Sequence, residues 1–191
     1  MAGSTRPSNS QRRTTIAVAN RNAARGFRPV ANLTGGGEYI RTHSHPAADS
    51  VAVGKWDLVT HTGAADTVEQ FDANDPIYGV ALNYVALSTL GAVSVLHVNH
   101  TSLLEAQEDS DGGDIAAASE GLNAAVIVAA ANTTTGLSQM MIDSSSAATT
   151  SSLDVRLYSP SPRAGNTVAQ DFALWLCTPL DLQVGQATVG I

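Results

Sequence analysis

The sequence predicts an all-β protein, built from small antiparallel β-barrel or sandwich subdomains that follow an extended N-terminal arm. Charged residues make up only 14% of the chain, and a single lysine, Lys55, leaves little material for the exposed faces of amphipathic helices. Runs of Val, Ile, Thr and aromatic residues alternate with Gly, Asn, Asp and Pro, which is the pattern of short strands and turns. With 191 residues the chain is long enough to bury a core without cross-links, and its one cysteine, Cys177, has no partner for an internal disulfide.

Basic residues are concentrated at the N-terminus. Of the ten basic residues, six lie in the first 37, which contain no acidic residue; the other four face seventeen acidic ones in residues 38–191, a net charge of −13. The six are Arg6, Arg12, Arg13, Arg21, Arg25 and Arg28. A cationic segment on an acidic body predicts docking on an acidic neighbour, either another copy or a larger assembly. The low hydrophobicity of residues 1–25 predicts a flexible arm that becomes ordered on its partner.

Residues 26–102 are predicted to form an N-terminal β subdomain. Its candidate strands are Arg28–Asn32, Tyr39–Thr42, 51–58, Ile77–Leu87 and Ala92–Val98. Gly54 interrupts the third of them, which predicts a bulge or bend, and the cluster from Asp72 to Pro76 is a turn signal.

Residues 103–191 are predicted to form a C-terminal β subdomain with an extended tail. The boundary falls near residues 101–121, where Leu103 to Asp114 is predicted to form a loop and Asp114 is expected to cap a short helical turn through Ala118. The candidate strands are Ala124–Ala130 and Leu137–Asp143, expected to pair as a hairpin, then Leu153–Tyr158, with Leu153, Val155 and Leu157 on one face, and Asp171–Cys177. The weak pattern from Gln183 to Ile191 predicts pairing with a sheet edge, here or in a neighbouring copy.

A series of short segments gives the second half its most specific pattern. They are Glu105-Ala-Gln, Gly121-Leu-Asn, Thr133 to Ser138 leading to Met-Ile-Asp143, Leu153 to Leu157, Gly165-Asn166 and a closing hydrophobic strand, preceded by Trp56-Asp-Leu-Val and Ile77-Tyr-Gly-Val80. In kind and order they resemble the decoration, or cement, proteins of tailed-bacteriophage heads, over residues 26–180. The arginine-rich extension and the His43-Ser-His45 stretch depart from that family's pattern.

The resemblance implies a viral structural protein, not an enzyme, that binds the outer surface of an assembled shell of major capsid protein. It also implies a homo-oligomer, with a trimer favoured, made in the host cytoplasm, located on the virion and acting without a cofactor. Many weak contacts repeated by symmetry suit such a role. The residues expected to bind partners are Arg12, Arg13, Arg21, Arg25 and Arg28 for docking, and Val184, Val189 and Ile191 for pairing between copies.

Two other binding functions remain open for a virion protein. The arginines of the arm are suited to phosphates of nucleic acid, although the acidic body opposes that partner. A carbohydrate-binding surface module is the other, although such grooves need exposed aromatic residues and these make up only 5% of the chain. A membrane span is not expected, since the longest apolar run, Ala124 to Ala131, is far shorter than the roughly 20 residues a helix needs.

The sequence gives weaker support for a metal site or a catalytic site. His43 with His45 and His97 with His100 have spacings that could supply metal ligands, but the chain has no HExxH motif. Asp109, Asp111 and Asp114, with Glu120, partly match a calcium loop, and the match fails at Gly113, where that loop has an oxygen ligand. No catalytic serine elbow or phosphate-binding glycine loop occurs, so no metal and no catalytic residue are predicted.

Overall fold

The fold is described by a computed structural model for residues 20–35, 42–46, 51–62, 67–73, 75–87 and 91–183, with the backbone alone for 42–46. The described residues are 38% strand and 4% helix, which confirms the predicted all-β class. The strands are β1 (Arg28–Asn32), β2 (Thr42–Pro46), β3 (Leu58–His61), β4 (Val68–Gln70), β5 (Gly79–Ala81), β6 (Ala92–His97), β7 (Ser102–Gln107), β8 (Asn123–Ala124), β9 (Val126–Ile127), β10 (Met141–Ile142), β11 (Val155–Pro160) and β12 (Leu174–Pro179).

The strands form two five-stranded sheets and one two-stranded ribbon. In the first sheet the order is β1-β7-β12-β11-β8, in the second it is β2-β6-β5-β3-β4, and β9 pairs with β10. Within the described ranges every pairing between these strands is antiparallel. The β9–β10 pairing confirms the hairpin predicted between residues 124–130 and 137–143.

Strand β11 shows how the sequence pattern produces a half-buried strand. Val155 and Leu157 are fully buried, and Arg156 between them is exposed. Leu153, predicted on the same face, precedes the strand and is half-buried. Leu157 lies opposite Cys177 of β12, whose side chain is also fully buried. The alternation of apolar and polar residues therefore places β11 and β12 over the core.

The larger hydrophobic core takes side chains from both halves of the chain. Its fully buried members include Phe27, Leu58, Ile77, Leu104 and Trp175. In addition, β1 pairs with β7 along most of its length. We predicted a subdomain boundary between residues 102 and 103. Residues on both sides of it contribute strands to the first sheet and side chains to this core.

A smaller core packs within the second sheet. It consists of Val53, Val59, Val68, Ala81, Val85, Val93 and Val95. These residues are mostly β-branched and suit a pleated surface. The chain leaves this core at Gly54, where an added Cβ atom would lie 3.0 Å from the backbone nitrogen of Ser138. The bend predicted at Gly54 is thus a place where two backbones approach closely.

Several predicted elements differ in the structure. Residues 103–107, predicted to lie in a loop, belong to β7, because β1 and β12 both supply backbone partners for them. In place of the strand expected over 51–58, isolated bridges at Val53 and Lys55 precede β3. The strand expected over Ile77–Leu87 is only three residues long, because the Asn83 side chain accepts from the Ser94 N–H (2.6 Å) and donates to the Ala92 carbonyl (2.9 Å) in place of backbone pairing. The short helical turn near Asp114 begins later, over Ala117–Ser119, and has no side-chain cap.

Candidate functional site

An open groove lies where the N-terminal segment crosses the first sheet. Its volume is about 470 Å³, and its walls come from residues 20–28, from β7 and from the chain between β11 and β12. Four lining residues are arginines, namely Arg21, Arg25, Arg28 and Arg163. Glu105 is the one acidic residue among the described lining residues. We call this feature the arginine groove.

Glu105 forms the base of the arginine groove and is only 6% exposed. Its Oε1 atom lies 3.1 Å from Nη2 of Arg28 and 2.9 Å from Nη2 of Arg163, and its Oε2 accepts a 2.6 Å hydrogen bond from the Ser161 hydroxyl. The two arginine side chains remain 36% and 42% exposed. One carboxylate therefore positions two guanidinium groups at the surface and neutralises only half of their charge.

Gln107 fixes the N-terminal segment to the sheet. Its Oε1 accepts from the Ala23 N–H (2.9 Å), and its Nε2 donates to the carbonyls of Arg21 (2.6 Å) and Phe172 (3.0 Å). The side chain is 5% exposed, so each of these bonds satisfies a buried polar group. Residues 20–25, which the sequence placed in the flexible arm, are thus hydrogen-bonded to the body; residues 1–19 lie outside the described part.

Asn20 ties the same segment to the other wall of the groove. Its Nδ2 donates to the carbonyls of Thr167 (2.7 Å) and Asp171 (3.1 Å), and its Oδ1 accepts from the Thr167 N–H (2.9 Å). On that wall, Asn166 donates to the Ser161 carbonyl (3.0 Å) and accepts from the Leu174 N–H (2.8 Å). Both sides of the groove are therefore held in place by side-chain amides.

Gly26 lets the segment pass close to the body. It has φ +69°, and a Cβ atom added there would lie 2.3 Å from the Trp56 carbonyl oxygen and 2.4 Å from the Ser138 Cβ. The next residue, Phe27, donates its N–H to the same Trp56 carbonyl at 2.9 Å. Only glycine combines this backbone conformation with so close an approach.

Backbone strain is concentrated beside the arginine groove. Three described residues other than glycine have positive φ: Trp56 (73°), Ala169 (57°) and Phe172 (63°). Trp56 and Phe172 line the groove, and Ala169 lies in the adjoining loop. Bulky residues rarely adopt this conformation, and where they do the strain is often found at functional sites.

Arg21 and Arg25 provide the charge that the body leaves unbalanced. Both are exposed, and among the described residues neither forms an ion pair. Guanidinium groups grouped in this way bind carboxylates or phosphates through paired N–H donors. The groove is therefore suited to an anionic partner.

The structure brings together three of the predicted docking residues, Arg21, Arg25 and Arg28. Arg28 has part of its charge engaged by Glu105 within the chain, which the sequence did not anticipate. Arg12 and Arg13, with Val184, Val189 and Ile191 of the tail, lie outside the described residues.

Arg163 and Glu105 were not identified from the sequence as residues of a binding site. The available signal was that Arg163 is one of only four basic residues after residue 37. Nothing local in the sequence indicates that Glu105 would lie beneath it.

The candidate metal ligands do not converge where the structure describes their side chains. Asp109 accepts a hydrogen bond from the Ser144 N–H at 2.9 Å, and Asp111 and Asp114 are exposed. For His43 and His45 the backbone alone is described. In the described ranges there is no group of three or more His, Cys, Asp or Glu residues placed to bind a metal.

Two fully buried carboxyl groups lie outside the groove. Burial raises the pKa of Asp57 to about 6, against the opposing effect of hydrogen bonds from the Gly54 N–H and the Gln70 side chain. Burial likewise raises the pKa of Glu108 to about 7, while the Ile115 N–H donates to its Oε2 at 3.1 Å. Since neither side chain is accessible to solvent, we assign both a structural role.

No helix in the described segments is long and apolar enough to cross a bilayer. Compared with known proteins, the chain matches no family model and no curated sequence.

Proposed function

We propose that the protein is a viral structural protein that decorates the outer surface of a tailed-bacteriophage head and strengthens the assembled shell. The observation that carries the proposal is the arginine groove. It lies at the root of an arginine-rich N-terminal segment, on a body whose residues 38–191 have a net charge of −13. A molecule with one strongly cationic site and an acidic remainder is suited to binding acidic neighbours in a defined orientation.

The proposed partners are the major capsid protein of the shell and neighbouring copies of this chain, with a trimer favoured. Such a role requires many simultaneous contacts and no chemical step, because avidity raises the stability of a repeated assembly well above that of one contact. The resemblance of the order of sequence segments to that of head decoration proteins supports this partner. The proposed location is the outer surface of the capsid, after synthesis in the host cytoplasm.

The test is binding of the purified chain to shells that lack it, measured by co-sedimentation and by cryo-electron microscopy. We expect regularly spaced density on the outer surface. We also expect Arg25→Glu to weaken binding by about tenfold, the effect of losing roughly 1.4 kcal/mol.

The matched control is Arg156→Glu, which makes the same charge change at an exposed residue outside the groove. Absence of density on the shell would refute the proposal. Equal weakening by the two variants would remove the groove from it.

Nucleic-acid contact is the second candidate, favoured by one specific observation. Trp56 and Phe172 line the groove beside its arginines, and single-stranded nucleic acid binds where aromatic and cationic side chains alternate. The negative charge of residues 38–191 would repel nucleic acid, so we rank this function second. Fluorescence anisotropy with a labelled single-stranded oligonucleotide tests it: binding that weakens steeply with salt and is lost in Arg25→Glu would favour this function over the first.

A further inference from the structure

We propose that the arginine groove binds the acidic loop of a second copy of this chain, so that copies join head to tail. The acidic loop is residues 109–114 (Asp-Ser-Asp-Gly-Gly-Asp), which follows β7. This inference rests on the proposed function, because it specifies the contact by which neighbouring copies bind each other. It concerns free protein in solution, so it can fail while binding to a shell succeeds, and the reverse.

The arginine groove carries positive charge that its own acidic residue does not neutralise. Glu105 is already bound by Arg28 and Arg163, and Arg21 and Arg25 have no ion-pair partner in the part of the chain that the structure describes. Four guanidinium groups thus face one carboxylate in the lining. An incoming pair of carboxylates would neutralise most of the remaining positive charge.

The chain's own N-terminal residues do not complement the groove. Residues 1–19 contain Arg6, Arg12 and Arg13 and no acidic residue. Their charge has the same sign as that of the groove, so they would be repelled from it. A negatively charged occupant must come from elsewhere.

The acidic loop has the required charge and presentation. Asp111 and Asp114 are exposed, and neither has an ion-pair partner among the described residues. Gly112 and Gly113 separate them and are exposed as well, so no bulky side chain shields the two carboxylates. Opposite charges on two exposed patches of one sequence make the chain complementary to itself.

The loop cannot fill the groove of its own molecule. Asp109 donates its N–H to the Ile142 carbonyl (3.0 Å), and its Oδ1 accepts from the Ser144 N–H (2.9 Å). These bonds anchor the loop beside β10, and neither Asp111 nor Asp114 is a lining residue of the groove. The contact must therefore form between molecules.

Such a contact joins two different patches and is heterologous. Heterologous contacts close into rings when the rotation between copies allows it and otherwise extend into filaments. A closed ring of three is the form that agrees with the favoured trimer. Each copy in that ring would use its groove once and its loop once.

The test is sedimentation velocity of the full chain with paired charge reversals. The groove variant is Arg21→Glu with Arg25→Glu, and the loop variant is Asp111→Lys with Asp114→Lys. We expect the wild type to associate at low salt, and each variant alone to raise the dissociation constant by at least about tenfold. In an equimolar mixture of the groove variant and the loop variant, the two reversed patches attract each other and so do the two unreversed patches, so unlike copies should associate. Combining all four changes in one chain should restore association to within about threefold of wild type.

The control is Asp72→Lys, which alters an exposed acidic residue outside the loop and should leave the association unchanged. A wild type that stays monomeric at about 100 μM would overturn the proposal, as would a combined variant no better than the single reversals. Loss of oligonucleotide binding in the groove variant, with self-association intact, would also overturn it in favour of a nucleic-acid partner. Circular dichroism of each variant verifies that the exposed substitutions leave the β fold intact.

Discussion

Nη2 of Arg163 lies 2.9 Å from Oε1 of Glu105, which joins the loop after β11 to the middle of β7. The carboxylate is almost fully buried and the guanidinium is 42% exposed. Glu105 is thus a structural anchor beneath the groove, and the arginine above it is the part available to a partner.

Replacing that anchor should loosen the groove. Glu105→Gln removes the charge that holds Arg28 and Arg163 and weakens the bond from Ser161. Because both arginines are partly exposed, we expect a loss of about 1–3 kcal/mol in the free energy of unfolding, measured by urea denaturation. Glu120→Gln, at an exposed carboxylate, should change it by less than about 0.5 kcal/mol. Equal effects from both changes would contradict the anchoring role.

Gly26 and Gly35 allow backbone strain to be separated from steric collision. Their φ angles are +69° and +66°, but a Cβ atom at Gly35 would meet nothing within 4 Å, whereas one at Gly26 would collide with Trp56 and Ser138. Gly35→Ala should cost about 1 kcal/mol of stability, and Gly26→Ala about 2 kcal/mol or more beyond that. Thermal denaturation of the two variants measures the difference. Similar melting temperatures would mean that the N-terminal segment is not held close to Trp56.

The Gln107 side chain should control the order of the N-terminal segment. Gln107→Ala removes the acceptor for the Ala23 N–H and the donor to the Arg21 carbonyl. We expect amide hydrogen exchange across residues 20–26 to accelerate by about tenfold or more, with smaller changes in β11 and β12. Gln170→Ala, which shortens a partly exposed side chain in the neighbouring loop, serves as the control. Unchanged exchange near Ala23 would show that other contacts hold the segment.

Glu108 should make the fold more stable as the pH falls toward 5. Its pKa is raised by burial from 4.5 to about 7, so between these values the folded protein binds more protons than the unfolded chain. The contribution of Glu108 to stability therefore declines as the pH rises from about 4.5 through 7, and Asp57, raised to about 6, acts in the same direction. Glu108→Gln should reduce the gain in melting temperature between pH 8 and pH 5, by about 2–4 °C for each kcal/mol removed. An unaltered pH dependence would contradict this assignment.

Local patterns predicted several strands but missed β4 and β7, the second of which lies in a segment predicted as a loop. The alternation of Val155, Arg156 and Leu157 identified a half-buried strand. The polar segment Asn132 to Gly136, between the two candidate strands, is typical of a turn, and the predicted hairpin forms between β9 and β10. Strand length was less predictable: β5 is cut short by hydrogen bonds from the Asn83 side chain, which no periodicity reveals. Such patterns indicate which face of a strand is buried. They do not indicate at which residue the backbone hydrogen bonds between strands end.

The arrangement of the sheets and of the groove could not be predicted. The pairing of β1 with β7 depends on a register between strands about 75 residues apart, for which neither segment has a local signal. The cluster of arginines predicted an anionic partner through Arg21 and Arg25. It could not show that Arg28 would share Glu105 with Arg163, because that contact exists only once β7 and the loop after β11 are neighbours.

The position of β7 between β1 and β12 has a consequence for the order of events during synthesis. Its neighbours are β1, near the beginning of the described chain, and β12, which ends at Pro179. The first sheet therefore cannot be completed until almost the whole chain has left the ribosome, and pairing over such separations is slow. Because the arginine groove is lined both by residues 20–28 and by Arg163 to Leu174, it forms only after these distant segments have been synthesised and brought together. Nascent or misfolded chains would therefore lack the groove. Under the proposed function, such chains could not bind the assembly.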